Sequence, residues 1–294
     1  NQALSSFNLK GAENGATDLL PSFNFTYKLN PKTNLRLAAS QTVSRPEFRE
    51  ISPFSFYDYA RNGALAGNPD LRRTRISNVD LRYEFYPRSG ELITLGAFYK
   101  HFKDPIEMQY DIGQGSPQFG YWNAASADSY GLEADIRKRL GFVNTNLKNF
   151  TLFANASVIR SRITVPDGYL GETNRPMQGQ SPYVVNAGIQ YDKEARTSAT
   201  LLYNVIGRRI FQVGNKDIPQ IWENPRPLLD LQVSQKLGKN AGLKLSITDI
   251  LGKKAVFYWD IDDDGKYTPG KGKDKPIYQI TNGTGITMQF VYTI

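Results

Sequence analysis

The chain has no cysteine and a single histidine among its 294 residues. The first absence excludes a disulfide scaffold and thiolate metal centres, and it suits an oxidising compartment where a stray thiol is a liability. The second leaves acid–base catalysis short of its commonest group. His101 is the one candidate base; alternation places it on an outward-facing row with no second titratable partner, so no enzymatic activity is expected. No stretch approaches the ~18 to 20 consecutive apolar residues that a membrane helix needs, and the mean hydropathy is -0.46. Those two absences do not exclude a membrane β-barrel, because only every second residue of a barrel strand faces lipid. The sequence starts at Asn1 with neither Met nor a signal peptide, so preceding sequence is expected to be missing from it.

Aromatics and glycine are plentiful, with 17 Tyr, 16 Phe and 25 Gly. Interfacial aromatic girdles and β-turns call for that mixture. The formal net charge is +8. A nucleic-acid partner is one reading of a basic chain, but Arg72-Arg73, Arg208-Arg209 and Lys271 to Lys275 all lie outside the strand cores. A basic rim against anionic outer-membrane lipid or lipopolysaccharide is the preferred partner, with no nucleic acid.

Period-two alternation dominates the chain. Phe23, Phe25, Tyr27 and Leu29 alternate with Ser22, Asn24, Thr26 and Lys28. Val79, Leu81, Tyr83 and Phe85 alternate with Asn78, Asp80, Arg82 and Glu84. Ile93, Leu95, Ala97 and Tyr99 share a face within Glu91 to Phe102. Tyr130, Leu132, Ala134 and Ile136 oppose Gly131, Glu133, Asp135 and Arg137. Eleven such strands are predicted, ending with Ile286 to Ile294. Most have ten residues or more, against the ~5 to 6 typical of soluble sheets; a tilted strand needs ~9 to 11 to cross a bilayer.

The connections alternate between short and long. Short turns are expected at Asn30 to Lys32, Pro87 to Gly90, Gly141 to Lys148, Asp192 to Glu194 and Gly238 to Gly242. Long loops are expected at Ser44 to Arg73, Lys103 to Phe119, Thr164 to Pro182, Gly207 to Pro225 and Leu251 to Gly283. Short periplasmic turns and long extracellular loops are the topology of an outer-membrane barrel. The expected fold is therefore all-β, a transmembrane antiparallel β-barrel with about 11 strands present and residues 1–294 forming one barrel segment. Single-chain bacterial barrels have even strand numbers, and open edges are not tolerated in lipid. Eleven strands beginning and ending with a descent thus read as half of twenty-two, completed by the same or another chain.

Six stretches resemble TonB-dependent receptors of Bacteroidetes type. They are Leu20-Pro21-Ser22-Phe23-Asn24, Ser44-Arg45-Pro46-Glu47-Phe48-Arg49-Glu50, Gly67-Asn68-Pro69-Asp70-Leu71, Phe98-Tyr99-Lys100 with Pro105-Ile106-Glu107, Tyr130-Gly131-Leu132-Glu133, and Gly179-Gln180-Ser181-Pro182-Tyr183. The resemblance implies the C-terminal half of a twenty-two-strand barrel whose plug domain lies outside this sequence. It implies nutrient uptake (a siderophore, peptide, glycan or similar) across the bacterial outer membrane. It also implies contact with the TonB complex through the missing plug, and a surface lipoprotein as a possible further partner. Asp80, Arg82, Glu84, Glu133, Asp135 and Arg137 would then face the lumen and the plug.

Two loop sites complete the candidates. Asp260, Asp262 and Asp264, followed by Gly265, have the one–three–five carboxylate spacing that opens a Ca²⁺ loop. The twelfth position is Lys271 rather than Glu, and the alternative is a solvated acidic turn; Ca²⁺ is the only cofactor considered. Tyr57, Tyr59 and Arg61 offer aromatic and guanidinium groups at a ligand entrance. Tyr121-Trp122, Trp222 and Trp259 read as aromatic-belt residues, and no helix of any length is expected. Two rival functions are a passive pore or adhesin, which would lack a plug upstream, and a soluble β-rich binding module, which would stay dispersed without detergent.

Overall fold

The structure, a computed structural model, describes residues 17–59, 63–113, 116–165, 172–194, 196–215, 218–270 and 273–292, with backbone alone over 111–113 and 116–117. The strands in chain order are β1 (Ser22–Asn30), β2 (Thr33–Ser44), β3 (Ser55–Asp58), β4 (Gly63–Ala66), β5 (Thr74–Phe85), β6 (Leu92–Lys103), β7 (Ile106–Gly113), β8 (Ser116–Asn123), β9 (Ser126–Arg139) and β10 (Phe150–Thr164). They continue with β11 (Tyr183–Lys193), β12 (Thr197–Ile206), β13 (Arg209–Gln212), β14 (Ile221–Glu223), β15 (Leu228–Leu237), β16 (Ala241–Thr248), β17 (Ala255–Trp259), β18 (Lys275–Ile280) and β19 (Gly285–Tyr292). No described helix is long and apolar enough to cross a membrane.

Eleven of these strands form one antiparallel sheet in the order β1-β2-β5-β6-β9-β10-β11-β12-β15-β16-β19, matching the eleven alternating segments. The register carries the alternation across strands. Leu35, Tyr83, Leu95, Ala134, Ala156, Val185 and Val205 are successive cross-strand partners. One residue away, Asn34, Glu84, Thr94, Asp135, Asn155, Asn186 and Asn204 form an equally continuous row on the other face. A slip of one residue in any strand would mix these rows, so the segregation of the faces is what pins the register. Side chains of the apolar band are exposed, among them Leu132 at 65% and Met288 at 73%. Exposure on that scale suits a lipid solvent and not an aqueous one.

Two aromatics on the polar face lie over glycines of the next strand. A Cβ on Gly131 would come within 2.8 Å of Phe98 Cε1, and one on Gly188 within 2.6 Å of Phe153 Cε2. Each glycine therefore admits a ring flat against the sheet, a pairing that helps to hold register.

The short connections are tight and polar. Asn30 Oδ1 accepts from Lys32 N at 2.9 Å. In the β5–β6 turn, Glu91 accepts from Lys138 Nζ at 2.7 Å and from Arg139 N at 3.3 Å. This ties that turn to the foot of β9, and hydrogen bonding to Lys138 holds the Glu91 carboxyl below the ordinary carboxylate range.

The long connections differ from the expectation of open loops. Eight short strands within them assemble into two four-stranded sheets, β3-β4-β8-β7 and β13-β14-β17-β18. The first includes a parallel β4–β8 pair, and a parallel bridge between Gln109 and Val213 joins the two. The most deeply buried large side chains include Phe119, Ile210, Val213 and Tyr258, all in this cap. A short helix, α1 (Phe48–Ile51), with a Glu47–Glu50 capping box, also forms there. Sequence reading missed it because four residues are too few for a 3.6-residue period to show.

Three aromatic assignments change with the cap. Trp122 does not stand in an outer belt but packs on the buried cluster Ala124, Ala127 and Ile163. Tyr121 precedes it in β8, within the same cap sheet. Trp222 lies in β14 beneath the Arg208 guanidinium, 3.7 Å from the ring centroid, and Trp259 lies in β17 opposite Ile221 and Lys275. The strand ends expected at the membrane interface continue into cap strands, which pack these half-buried rings against protein.

Candidate functional site: the polar wall and the cap

The polar face brings together all six residues expected to face the lumen. Arg82 pairs across Gly96 with Glu133, and Glu84 across Thr94 with Asp135. Asp80 and Arg137 lie on the same face by alternation, each opposite a β6 residue. Five of the six are exposed, but Glu84 is only 5% accessible. Its carboxylate accepts from Arg36 Nε at 2.8 Å, Asn34 Nδ2 at 3.3 Å and Tyr86 Oη at 3.0 Å. Glu84 is thus used within the wall, since a buried carboxylate needs its lone pairs satisfied. Asp80, Arg82 and Glu133 instead share a shallow recess of about 240 Å³ with Arg36 and Phe98. The wall continues through an amide ladder that sequence reading missed. Asn186 Nδ2 donates to Asn155 Oδ1 at 2.7 Å, and Asn204 donates to Asn186. Its members lie 18 and 31 residues apart, so only the register reveals it.

At the long-connection end, two of the sequence motifs meet. Asn68 N donates to Glu50 O at 2.6 Å, and Asn68 Nδ2 to Tyr121 O at 2.9 Å. A Cβ on Gly67 would sit 2.8 Å from Arg49 O. Glycine is therefore the residue that lets this turn lie against α1. Tyr57 and Tyr59 are exposed and form an edge-to-face pair with centroids 5.0 Å apart; Arg61 lies outside the described residues.

The cap is locked by an ion pair that sequence reading also missed. Arg175 Nη2 and Nη1 reach Glu107 Oε2 and Oε1 at 2.6 and 3.2 Å, with the side chains only 1% and 3% accessible. Gln178 N donates to Glu107 Oε1 at 3.0 Å, and Gln178 Nε2 donates to Phe211 O at 2.9 Å. Residues of the β10–β11 connection thereby bridge β7 to β13. Beside them lies a cleft of about 720 Å³, lined by Arg160, Arg162, Arg175 and Arg208 with Tyr130, Tyr183 and Trp222 among others. Of its four guanidinium groups, Arg175 is neutralised by Glu107 and Arg208 by Asp260, and Arg160 and Arg162 stand opposite Tyr130 and Asp128 on the apolar-face rows.

The acidic motif holds its place as a cluster and gains a member. Carboxylate oxygens of Asp260, Asp262, Asp264 and Asp274 lie within 4.8 Å of one another. Asp274 sits three positions beyond the expected Lys271, which lies outside the described residues. The one signal for it was an acidic residue within a run of Gly and Lys. Next to the cluster, burial pushes the Tyr258 phenol up to about 12.

His101 does have a titratable partner, contrary to expectation. Its Nδ1 lies 2.9 Å from Asp128 Oδ1, and Tyr99 Oη donates to the same oxygen at 2.7 Å. The pair is made across the β6–β9 ladder between residues 27 apart, and linear sequence does not display it. All three residues belong to the apolar-face rows, away from the polar wall.

An apolar band, a polar wall and five long connections gathered into one cap define a large outer-membrane β-barrel. The chain belongs to the TonB dependent receptor-like, beta-barrel family, whose model matches residues 2–250. It is 21% identical over 271 residues to the iron-regulated outer membrane virulence protein of Vibrio cholerae, a match covering 88% of this chain and 40% of that protein. A mutant ferric enterobactin receptor of Pseudomonas aeruginosa, solved in complex with enterobactin, superposes with a TM-score of 0.62 at 16% identity. The siderophore receptor PirA of Acinetobacter baumannii gives 0.60 at 14%. Each of these two covers 93% of this chain and 40% of the other. The chain therefore spans about two fifths of the relatives it matches, and these likenesses establish a shared barrel fold in the bacterial outer membrane.

Proposed function

We propose that this chain is the C-terminal half of the barrel of a TonB-dependent importer, and that its cargo is a metal chelate of the siderophore class. The single observation that carries the reading is the division of labour in the sheet. One face is a lipid-facing band, the other a polar wall with exposed Asp80, Arg82, Glu133, Asp135 and Arg137, and the long connections are folded over one end. A polar wall of that kind suits water-rich contact with a plug, supplied by another segment of the same polypeptide or by another chain. Sheet edges at β1 and β19 call for further strands in a bilayer, which supports eleven of twenty-two.

The relatives favour a chelate as cargo, being an iron-regulated outer-membrane protein and siderophore receptors. The order of the six motifs supports the Bacteroidetes-type branch. The relatives are receptors and transporters, in keeping with a non-enzymatic role.

The test is uptake of radiolabelled ferric chelates by cells expressing the full-length protein, with and without a functional TonB system. Uptake of a ferric chelate that is lost without the TonB system, at unchanged surface abundance, supports the reading. Uptake that persists without TonB points to a passive pore, and no uptake of any chelate rejects the cargo class.

A further inference from the structure

The acidic cluster of the β16–β19 connection is the feature that neither the barrel nor import requires. It lies between β17 and β18 in the cap sheet, at the Asp260-Ile261-Asp262-Asp263-Asp264-Gly265 turn. Asp263 and Gly265 take positive φ values of 53° and 76°, curling the turn so that alternate carboxylates point to one side. Asp274, 2% accessible, approaches from the far side of the connection. Its Oδ1 accepts from Ile261 N at 3.1 Å and its Oδ2 from Thr268 N at 2.7 Å, which braces the two arms of the loop against each other.

Acidic turns are common without any ion, so the cluster alone decides nothing. The discriminating group is Asp260. Its side chain is only 2% accessible. Oδ2 accepts from the Arg208 guanidinium and from Gly265 N, whereas Oδ1 is buried and has no hydrogen-bond partner among the described residues. A buried carboxylate oxygen without a partner carries an uncompensated desolvation penalty, larger when charged. The phenolic oxygen of Tyr258 is buried and unpartnered in the same way. Among the described residues, Arg208 is the cation paired with this site, against four carboxylates gathered within 4.8 Å. That spread is the span of a coordination sphere with Ca–O distances of ~2.3 to 2.6 Å.

We infer that Asp260, Asp262, Asp264 and Asp274 bind a divalent cation of the calcium type, with Asp260 Oδ1 as the buried ligand. The ligands are all oxygen, so soft and nitrogen-preferring metals are disfavoured. A sphere of this width suits Ca²⁺ better than Mg²⁺, which demands ~2.0 to 2.1 Å and gives up its waters reluctantly. Asp260 is shared between the cation and Arg208, and Arg208 lines the 720 Å³ cleft. Occupancy therefore ties the β17–β18 connection to the edge of that cleft. The inference stands independently of the cargo, because it concerns a loop ion and not the imported species.

The experiment is terbium luminescence on the full-length protein in detergent, excited through the aromatic rings. The Tyr258 and Tyr267 rings lie with centroids 4.9 Å apart and Trp259 precedes Asp260 in the chain, so sensitised emission is expected. Emission that saturates, is displaced by Ca²⁺ at least tenfold more readily than by Mg²⁺, and falls at least tenfold in Asp262→Asn supports the site. Asp262 is exposed, so its replacement leaves the fold intact. Asp274→Asn also removes a brace for Ile261 N and Thr268 N, so it is read together with the circular dichroism of the same sample. Emission unchanged in Asp262→Asn, or not displaced by millimolar Ca²⁺, overturns the inference. Equal displacement by Mg²⁺ overturns the calcium assignment.

Discussion

Replacing Arg175 by Met should loosen the cap without harming the barrel. The substitution removes both hydrogen bonds to Glu107, at 2.6 and 3.2 Å, from a carboxylate only 3% accessible, and Gln178 N at 3.0 Å remains as a donor to it. Removing one partner of a buried pair costs about 3 to 5 kcal/mol, because the other charge stays buried uncompensated. At 1.4 kcal/mol per tenfold, that raises the open population of the β10–β11 connection by roughly a hundredfold to a few thousandfold. Hydrogen exchange reads this directly at Ile163 N, which donates to Arg175 O, at Gly179 N, which donates to Ile210 O, and at Gln178 N. Amides in the β5–β6 ladder serve as the internal reference and should not change. Pairing Arg175→Met with Glu107→Leu removes both charges and should restore most of the protection, since apolar replacement of a buried pair is often neutral or stabilising. If the single variant exchanges like the parent, or if the double variant is worse than the single, the pair is not what locks the cap.

Three further outcomes follow from the same structure. Leu95→Arg on the exposed apolar band should destabilise the barrel by about 2 to 4 kcal/mol if Leu95 lies near the midplane; folding yield into lipid vesicles checks this, and a yield equal to the parent would place the band in water. Gly188→Ala should destabilise by about 1 to 3 kcal/mol through overpacking against the Phe153 ring, and Gly188→Ala with Phe153→Ala should lose less than the sum of the two; the heat-modified gel shift of the barrel measures both. Glu91 has a carboxyl pKa depressed below the usual ~4.3, so its stabilisation is present above that value and is lost as pH falls through the lowered pKa. Melting temperatures of the parent and Glu91→Gln should therefore differ at pH 6 and converge under acid; a constant gap between pH 3 and 6 would contradict the Lys138 contact.

The fold could be read from the chain because its governing signal is local. A strand displays its two faces to neighbours two residues apart, so Phe23-Phe25-Tyr27 or Val79-Leu81-Tyr83 shows the lipid side without any knowledge of partners. Loop asymmetry is likewise a matter of counting residues between strands. The carboxylate spacing of Asp260-Asp262-Asp264-Gly265 was legible for the same reason, since its members fall within one turn.

What tertiary structure alone decided lies in cross-strand register and in the packing of the long connections. Asp274 joins the acidic cluster, Asp128 meets His101, and Arg175 meets Glu107 over separations of 10 to 68 residues. Short cap strands such as Arg209–Gln212 and Ile221–Glu223 have too few residues for alternation to register. They exist because the connections bury Ile210, Val213 and Tyr258 against one another. Packing at the foot of the cap likewise sets a half-buried Trp122 against Ala124, Ala127 and Ile163 instead of in the expected lipid belt. Alternation states which side a residue faces; only the assembled sheet states what stands opposite it, because cross-strand contacts depend on register and closure and not on spacing along the chain.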